Sequence, residues 1–188
     1  MSSPSPRVLE KRRRILEAAQ AVMLRTGLRA ATMEAIAKAA GIAKPTLYAQ
    51  FSDKDAVFDA LIDDLVCDKS ETFARAFDID APLDERVGNA MAEMYGSIAD
   101  MLEGSPHAAE LVSEPHRLGR KFKEVDDAIL ARLAGAFSDA GIEEPERLAT
   151  MLLASGSGIL AKFPDGSAVR AAIRLLCERV IRGSFRAG

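Results

Sequence analysis

The chain has 188 residues, of which 48% are hydrophobic and 28% charged, a composition typical of a globular protein. No apolar run approaches the roughly 18 residues that a membrane span requires, and residues 1–6 lack the apolar stretch of a secretory signal. Cys67 and Cys177 lie far apart, without the spacing of a metal site or a disulfide framework. We therefore expect a cytoplasmic protein without a membrane segment.

The net charge of −3 conceals an asymmetry along the chain. Residues 1–60 contain ten Lys or Arg against six Asp or Glu, which gives +4 and leaves −7 on the other 128 residues. A basic segment attached to an acidic body favours a localised surface that binds a polyanion. A solvated basic helix has the same charge, so this feature alone does not separate the two interpretations.

The residue pattern predicts an all-α fold, because good helix formers dominate and no long segment alternates with period two. Residues 1–8 are predicted to form a disordered lead. Apolar periodicity, N-cap residues, glycines and prolines predict helices over residues 8–25, 32–40, 44–51, 53–65, 63–77, 83–103, 106–140, 145–163 and 167–184. Glu114-Pro115 is expected to interrupt or kink the helix over 106–140.

Two short helices on either side of Gly41 form the most specific pattern in the chain. Ala37 and Ala40 give the first of them a small inner face that lets the second cross closely, and Gly41 supplies the positive φ of the turn. Leu47 and Phe51, four residues apart, anchor the second helix to the core. The pattern predicts a helix-turn-helix, whose second helix enters the major groove of DNA.

The outer side of this second helix is unusually bare. Ala49 points away from Leu47, whereas an ordinary solvent-facing helix would carry Glu, Lys or Gln there. A slim helix reaches base edges, where methyl groups suit thymine, while cations and hydroxyls suit phosphates. The predicted DNA-binding residues are Thr32, Lys44, Pro45, Thr46, Tyr48, Ala49 and Lys54. Structural packing is the alternative for this segment, and capping of its own helix also accounts for Thr32.

The stretch from Thr32 to Lys54, TMEAIAKAAGIAKPTLYAQFSDK, resembles the signature of the TetR family of bacterial transcriptional regulators. It has Thr-Leu-Tyr at 46–48, a Phe three residues later and a Lys after a short turn, and the resemblance covers about residues 10–65. It implies that Lys44, Pro45, Thr46, Tyr48 and Lys54 contact DNA. Many relatives carry a bulky aromatic residue or His where this chain has Ala49, so its operator does not follow from theirs.

The resemblance also implies a DNA-binding domain at residues 9–55 and a helical effector-binding and dimerisation domain at residues 56–188, with the last two helices in a four-helix bundle across a two-fold axis. The segment ASGSG at 154–158 agrees, because glycines in a helix suit close helix approach. A neighbouring helix of the same chain would serve as well. The predicted dimer interface consists of Met151, Leu152, Ser155, Ile159, Ile173, Leu176 and Val180.

A row of methionines is the candidate wall of an effector pocket. Methionine adapts to varied apolar ligands, although methionines at helical spacing also fit a plain core. The predicted wall consists of Met91, Met94, Tyr95, Ile98, Met101 and Leu102, opposed by Leu111, Phe122, Val125 and Ile129. Such a lining suits a small apolar or amphipathic effector.

Two His and two Glu lie within ten residues, at His107, Glu110, Glu114 and His116, but prolines break their register and the spacing matches no standard zinc site. The sequence also contains no recognised nucleophile–base pair or Gly-rich phosphate loop. We therefore predict no metal, no cofactor and no enzymatic activity.

Together with these patterns, the resemblance to the TetR family implies a homodimeric repressor that binds a palindromic operator in double-stranded DNA and is released by a small-molecule effector. The alternatives are a ligand-independent DNA-binding or interaction protein and a helical enzyme. The sequence does not distinguish a repressor from an activator.

Overall fold

The computed structural model describes residues 5–107, 115–163 and 165–184, with only the backbone described over 115–121. These residues form eight α-helices and no strand, which confirms the all-α fold class. The helices are α1 (Pro6–Thr26), α2 (Met33–Ala39), α3 (Lys44–Tyr48), α4 (Lys54–Phe77), α5 (Leu83–Leu102), α6 (Pro115–Asp139), α7 (Pro145–Lys162) and α8 (Gly166–Ser184).

The chain divides into two compact units. The first consists of Met1–Leu65 and Gly104–Lys121, and the second of Val66–Glu103 and Phe122–Gly188. Helix α4 contributes residues to both units, because the division falls after Leu65. The sequence instead suggests a boundary between residues 55 and 56, near the start of this helix.

Side-chain caps explain where two helices of the first unit begin. The Thr32 hydroxyl accepts a hydrogen bond from the Ala35 N–H at 3.1 Å, and an Asp53 carboxylate oxygen accepts one from the Ala56 N–H at 2.7 Å. Each cap satisfies a backbone N–H that the first turn of a helix leaves unpaired. The sequence predicts the cap at Thr32, whereas for the second helix it leaves Ser52 and Asp53 as alternatives, of which Asp53 forms the cap.

Several helix bounds differ from the predicted ones, and residues 106 and 107, at the start of the helix predicted over 106–140, form a turn. Helix α1 begins at Pro6, inside the predicted lead, because proline suits the first turn of a helix. Helix α3 ends at Tyr48 rather than at residue 51, because the Gln50 N–H bonds to the Leu47 carbonyl in a tighter turn. Helix α4 continues without a break, since neither glycine nor proline interrupts it.

The second unit encloses a hydrophobic core between its helices. Helix α5 lies close to α8, where a Cβ atom at Gly88 would stand only 3.5 Å from that of Cys177. In α4 the rings of Phe73 and Phe77 stack with their centroids 5.2 Å apart. The largest fully buried side chains of this unit are Phe73, Phe137, Met91, Met94, Leu133, Leu152 and Ile173. This packing fixes the positions of α5, α6 and α7, which carry the cleft described below.

Candidate DNA-binding surface and effector cleft

The turn between α2 and α3 depends on Gly41. Its φ is +65°, a conformation that residues with a Cβ atom rarely adopt. The Gly41 N–H donates to the Lys38 carbonyl at 3.2 Å, and the Ile42 N–H donates to the Ala37 carbonyl at 3.0 Å. This pair of bonds ends α2 and redirects the chain into α3 within a few residues.

Two arginines of α1 hold α2 and α3 in place. The Arg14 guanidinium donates to the Ala40 carbonyl at 3.0 Å, at the end of α2. The Arg12 guanidinium lies 4.8 Å from the ring centroid of Phe51, just beyond α3. Leu47, which is fully buried, anchors α3 itself. Part of the positive charge near the start of the sequence therefore stabilises the fold of this unit.

The outer surface of α3 bears few charged groups. We call it the recognition face, and it consists of Lys44, Pro45, Thr46, Tyr48 and Ala49. Thr46 is half-buried, and the other four residues are exposed. The Lys44 ammonium lies 3.5 Å from the Glu34 carboxylate. Because both of these side chains are exposed, their attraction is weak, and a phosphate group is able to replace the carboxylate.

Lys54 and Thr32 have bonding partners within the first unit. The Lys54 ammonium donates to the carbonyls of Leu28 at 2.9 Å and Arg29 at 3.1 Å, so it ties the start of α4 to the link between α1 and α2. Thr32 caps α2. No pattern in the sequence indicates the Lys54 contacts, because the acceptors are backbone carbonyls 25 and 26 residues away.

The predicted effector wall is divided between the core and its edge. Met91 and Met94 have no exposed surface, and the Met91 sulfur lies 3.9 Å from the Cys177 sulfur. Tyr95 and Ile129 are also buried. The half-buried members of the predicted wall are Ile98, Met101, Leu102, Phe122 and Val125. Leu111 lies outside the described residues.

A cleft of about 260 Å³ is bordered by α5, α6 and α7. Its lining consists of Tyr95, Asp126, Asp127, Leu130, Thr150, Leu153, Ala154 and Ser157. The Tyr95 hydroxyl donates to the Leu153 carbonyl at 3.0 Å and lies 3.3 Å from the Ser157 hydroxyl. Burial raises the pKa of Tyr95 to about 12, so the phenol remains neutral at ordinary pH.

A buried lysine, which the sequence did not single out, lies beside this cleft. Lys69 of α4 is 6% exposed and is the one buried polar or charged residue in the part of the chain whose side chains are described. Its ammonium lies 2.5 Å from an Asp126 carboxylate oxygen, 5.8 Å from the ring centroid of Tyr95 and 5.3 Å from that of Phe122. Nothing in the sequence pairs Lys69 with a carboxylate 57 residues later.

The predicted dimer-interface residues lie on two sides of α7 and α8. Leu152 and Ile173 are buried in the core of their own subunit, so their side chains are not available to a partner. Met151 is 54% exposed, and Leu175, which the prediction omitted, is 55% exposed. The remaining predicted residues, which are half-buried, are Ser155, Ile159, Leu176 and Val180.

Of the four residues considered for metal binding, only His107 has a described side chain, and Glu110, Glu114 and His116 lie outside that part of the structure. Within the described residues, no three His, Cys, Asp or Glu side chains are grouped so that they would hold a metal ion. None of the described helices is long and apolar enough to cross a membrane.

Comparison with known proteins decides which family this helix-turn-helix represents. Residues 15–61, which include all of α2 and α3, match the family model described as bacterial regulatory proteins, tetR family. Residues 15–61 thus carry the DNA-binding segment of the TetR family. The chain is a DNA-binding transcriptional regulator, and α2 and α3 form its helix-turn-helix.

Three proteins illustrate how far the similarity of the chain to known regulators extends. The HTH-type transcriptional regulator YhgD of Bacillus subtilis is 30% identical over 83 residues, so the match spans 44% of either chain, less than half of YhgD. The HTH-type transcriptional regulator Rv2250c of Mycobacterium tuberculosis is 28% identical over 149 residues, 74% of this chain and 75% of the relative. The structure of the regulator FadR from Bacillus subtilis, in complex with stearoyl-CoA, matches with a TM-score of 0.67 at 20% identity. The match covers 88% of this chain and 96% of FadR, and it shows that the two proteins share a fold.

Proposed function

We propose that this protein represses transcription by binding a palindromic operator as a homodimer, and that a small apolar or amphipathic effector releases it from DNA. The recognition face carries the proposal, because it is exposed and built from small side chains beside one cation and one phenol. Long charged side chains would keep such a helix away from base edges. One recognition helix reads few base pairs, so a two-fold dimer that reads two half-sites supplies the specificity.

The contacts of the recognition face divide by chemistry. Ala49, Thr46 and Pro45 contact base edges through apolar groups, above all thymine methyls, whereas Lys44 and Tyr48 bind phosphates. Two further residues keep one donor each for phosphate. The Thr32 hydroxyl hydrogen is not used by its cap, and the Lys54 ammonium has a third N–H beyond its two bonds to carbonyls.

Homodimerisation through the outward side of α7 and α8 is supported by the exposed side chains of Met151 and Leu175. Ala154 and Gly158 follow Met151 by three and seven residues and so lie on the same side of α7, and a Cβ atom at Gly158 would meet nothing within 4 Å. The α7 backbone is therefore accessible to close approach by a partner helix. The predicted interface residues Ser155, Ile159, Leu176 and Val180 flank this surface.

The cleft beside Tyr95 is the proposed effector site. Its lining includes the buried ring of Tyr95, the one residue of the predicted wall among the lining residues. The half-buried Phe122 and Val125 of the predicted wall lie on the same helix as Asp126 and Leu130. FadR, a protein of the same fold that is in complex with stearoyl-CoA, supports an amphipathic effector for this chain. Release from DNA requires the effector to bind more tightly to a conformation that does not fit the operator.

The deciding experiment is selection of bound fragments from a random duplex library by the full-length protein. The proposal predicts a recovered palindrome whose half-sites lie one helical turn or a multiple of it apart. Ala49→Glu should abolish this enrichment, whereas Ala140→Glu, at an exposed position after α6, should preserve it. Recovery of no consensus, or of a single unrepeated half-site, would contradict the proposal. A reporter promoter that overlaps the recovered site then distinguishes repression from activation.

A further inference from the structure

We propose that Lys69 anchors the anionic head group of the effector, which replaces Asp126 on the lysine ammonium. This inference rests on the proposed role of the cleft as effector site and names the chemical class of its ligand. That class is a compact apolar molecule with one carboxylate or phosphate group.

The ion pair between Lys69 and Asp126 is unequal in its exposure to water. The Lys69 side chain is 6% exposed, whereas that of Asp126 is 45% exposed, although the two charged groups lie 2.5 Å apart. A buried ammonium is costly unless an anion or strong acceptors compensate it. Lys69 therefore requires an anion at this position, and the present one is held by a side chain that borders on solvent.

This inequality makes Asp126 the exchangeable partner. Its carboxylate is able to turn into water at little desolvation cost, while the Lys69 ammonium has no comparable access. An incoming anion then replaces one charge-assisted hydrogen bond by another. A cationic ligand would have to compete with Lys69 for the same carboxylate and leave the buried ammonium uncompensated, so the site favours an anion.

The surroundings of the ammonium connect it with the cleft. Besides Asp126, the Tyr95 and Phe122 rings face it, with centroids 5.8 and 5.3 Å away. Lys69 itself does not line the cleft, but two of these three groups, Tyr95 and Asp126, do, so a head group that takes the place of the Asp126 carboxylate reaches the lysine. Leu130 and Leu153 supply apolar surface for the remainder of the ligand.

The size and charge of the cleft restrict its ligand further. Its volume of about 260 Å³ lies below the roughly 300–1,000 Å³ of pockets that hold drug-sized ligands, so the ligand is compact. The second carboxylate of the lining, that of Asp127, lies 2.6 Å from the exposed Lys123 ammonium. This second acidic group is thus neutralised by its own helix and does not make the cleft a cation site.

The test is calorimetric titration of the full-length protein, without DNA, with four probes that share one alkyl chain: octanoate, octyl phosphate, octanol and octylammonium. At least one anionic probe should bind about tenfold more tightly than octanol, and octylammonium should bind most weakly. The ratio of octanoate to octyl phosphate affinity identifies the preferred head group. Wild-type protein that binds neither anionic probe in preference to octanol would overturn the proposal.

Two variants with matched controls test the exchange itself. Lys69→Met should weaken binding of the preferred anion by about tenfold or more, while Lys162→Met, at an exposed lysine that does not line the cleft, should change it by less than about twofold. Asp126→Asn removes the competing carboxylate, so it should tighten anion binding by about threefold to tenfold, whereas Asp139→Asn should not.

Unchanged or weaker anion binding by Asp126→Asn would overturn the proposal that the anion replaces Asp126 on Lys69. This test remains valid even if Lys69→Met does not fold. Because the titrations contain no DNA, a negative result leaves operator binding standing. Failure of the operator selection would in turn leave the probe affinities as measured, so the two proposals fail separately.

Discussion

The ring of Tyr95 occupies the space that a side chain at position 156 would fill. A Cβ atom built on Gly156 would overlap three atoms of that ring, and the Tyr95 hydroxyl is bonded to the Leu153 carbonyl one turn earlier on the same helix. Gly156 is therefore a contact within one subunit, whereas Gly158 faces open space. The two glycines of the ASGSG segment therefore differ in what they allow: Gly156 makes room for the Tyr95 ring, whereas Gly158 leaves the helix surface open.

Gly156→Ala should destabilise the protein by about 1–3 kcal/mol, because the new methyl group forces a buried and hydrogen-bonded ring to move. Urea unfolding followed by circular dichroism measures the change. Gly135→Ala is the matched control, since a Cβ atom there meets nothing within 4 Å. In that helix interior, alanine should raise the free energy of unfolding by up to about 1 kcal/mol. Equal stability of Gly156→Ala and wild type would contradict the tight contact with Tyr95.

Alkaline pH should weaken the fold through Tyr95. Burial raises the pKa of its phenol to about 12 from an ordinary value of 10.0, so the folded state retains a proton that the unfolded state releases. This proton contributes roughly 3 kcal/mol to the free energy of unfolding. The contribution is fully present below pH 10 and is lost as the pH rises towards 12. Unfolding free energies of wild type and Tyr95→Phe measured from pH 8 to 11.5 should converge as the pH rises. A constant difference between them would refute this prediction.

The two cysteines should react at very different rates. Cys67 is exposed, whereas Cys177 is buried and desolvation raises its thiol pKa to about 12. Thiolate is the reactive form, so Cys177 should stay inert in the folded protein. Titration with a chromogenic disulfide should therefore detect one thiol per native chain and two in denaturant. Rapid reaction of two thiols in the native protein would show that the core around Met91 opens readily.

Lys44 and Lys54 should affect DNA binding differently. Lys44 has only the weak, exposed pairing with Glu34, so Lys44→Met should lower operator affinity and reduce the slope of log affinity against log salt by about one. Its free energy of unfolding should stay within about 0.5 kcal/mol of wild type. Fluorescence anisotropy over a salt series measures the slope, and an unchanged slope would remove Lys44 from the phosphate contacts.

Lys54→Met should mainly destabilise the first unit, because two backbone carbonyls lose a charged donor. The expected loss is about 1–3 kcal/mol in the free energy of unfolding. If the third N–H also binds phosphate, the salt slope falls by about one as well. Stability equal to that of wild type would contradict a stabilising role for the bonds from Lys54 to the two carbonyls. An unchanged slope of log affinity against log salt would show that Lys54 stabilises the fold without binding phosphate.

Leu175→Glu should prevent association of subunits if α8 lies in the interface. A carboxylate at the centre of a two-fold contact is desolvated and placed near its own copy, and both effects oppose association. Ile79→Glu is the matched control, because Ile79 is equally exposed, at 55%, and lies in the segment after α4. Sedimentation equilibrium should then give a dimer for wild type and Ile79→Glu and a monomer for Leu175→Glu. A dimeric Leu175→Glu variant would place the interface elsewhere.

The sequence by itself determined the helix-turn-helix and the helical class, because both depend on local rules. Caps at Thr32 and Asp53, a glycine with positive φ at the turn, and inward residues four apart are specified within a few positions of one another. The outer surface of α3 followed from the same periodicity. These features needed no knowledge of distant contacts.

Only the tertiary structure decided which residues meet across the chain. It paired Lys69 with Asp126 and placed Lys54 against two carbonyls. It also placed the Tyr95 ring where a side chain at position 156 would lie, which explains the glycine there. It also assigned Leu152 and Ile173 to the core. Helical periodicity shows that a residue lies on an apolar face, but not which neighbour covers that face. That choice depends on how helices distant in sequence pack together, and for this protein it located the cleft and the lysine beside it.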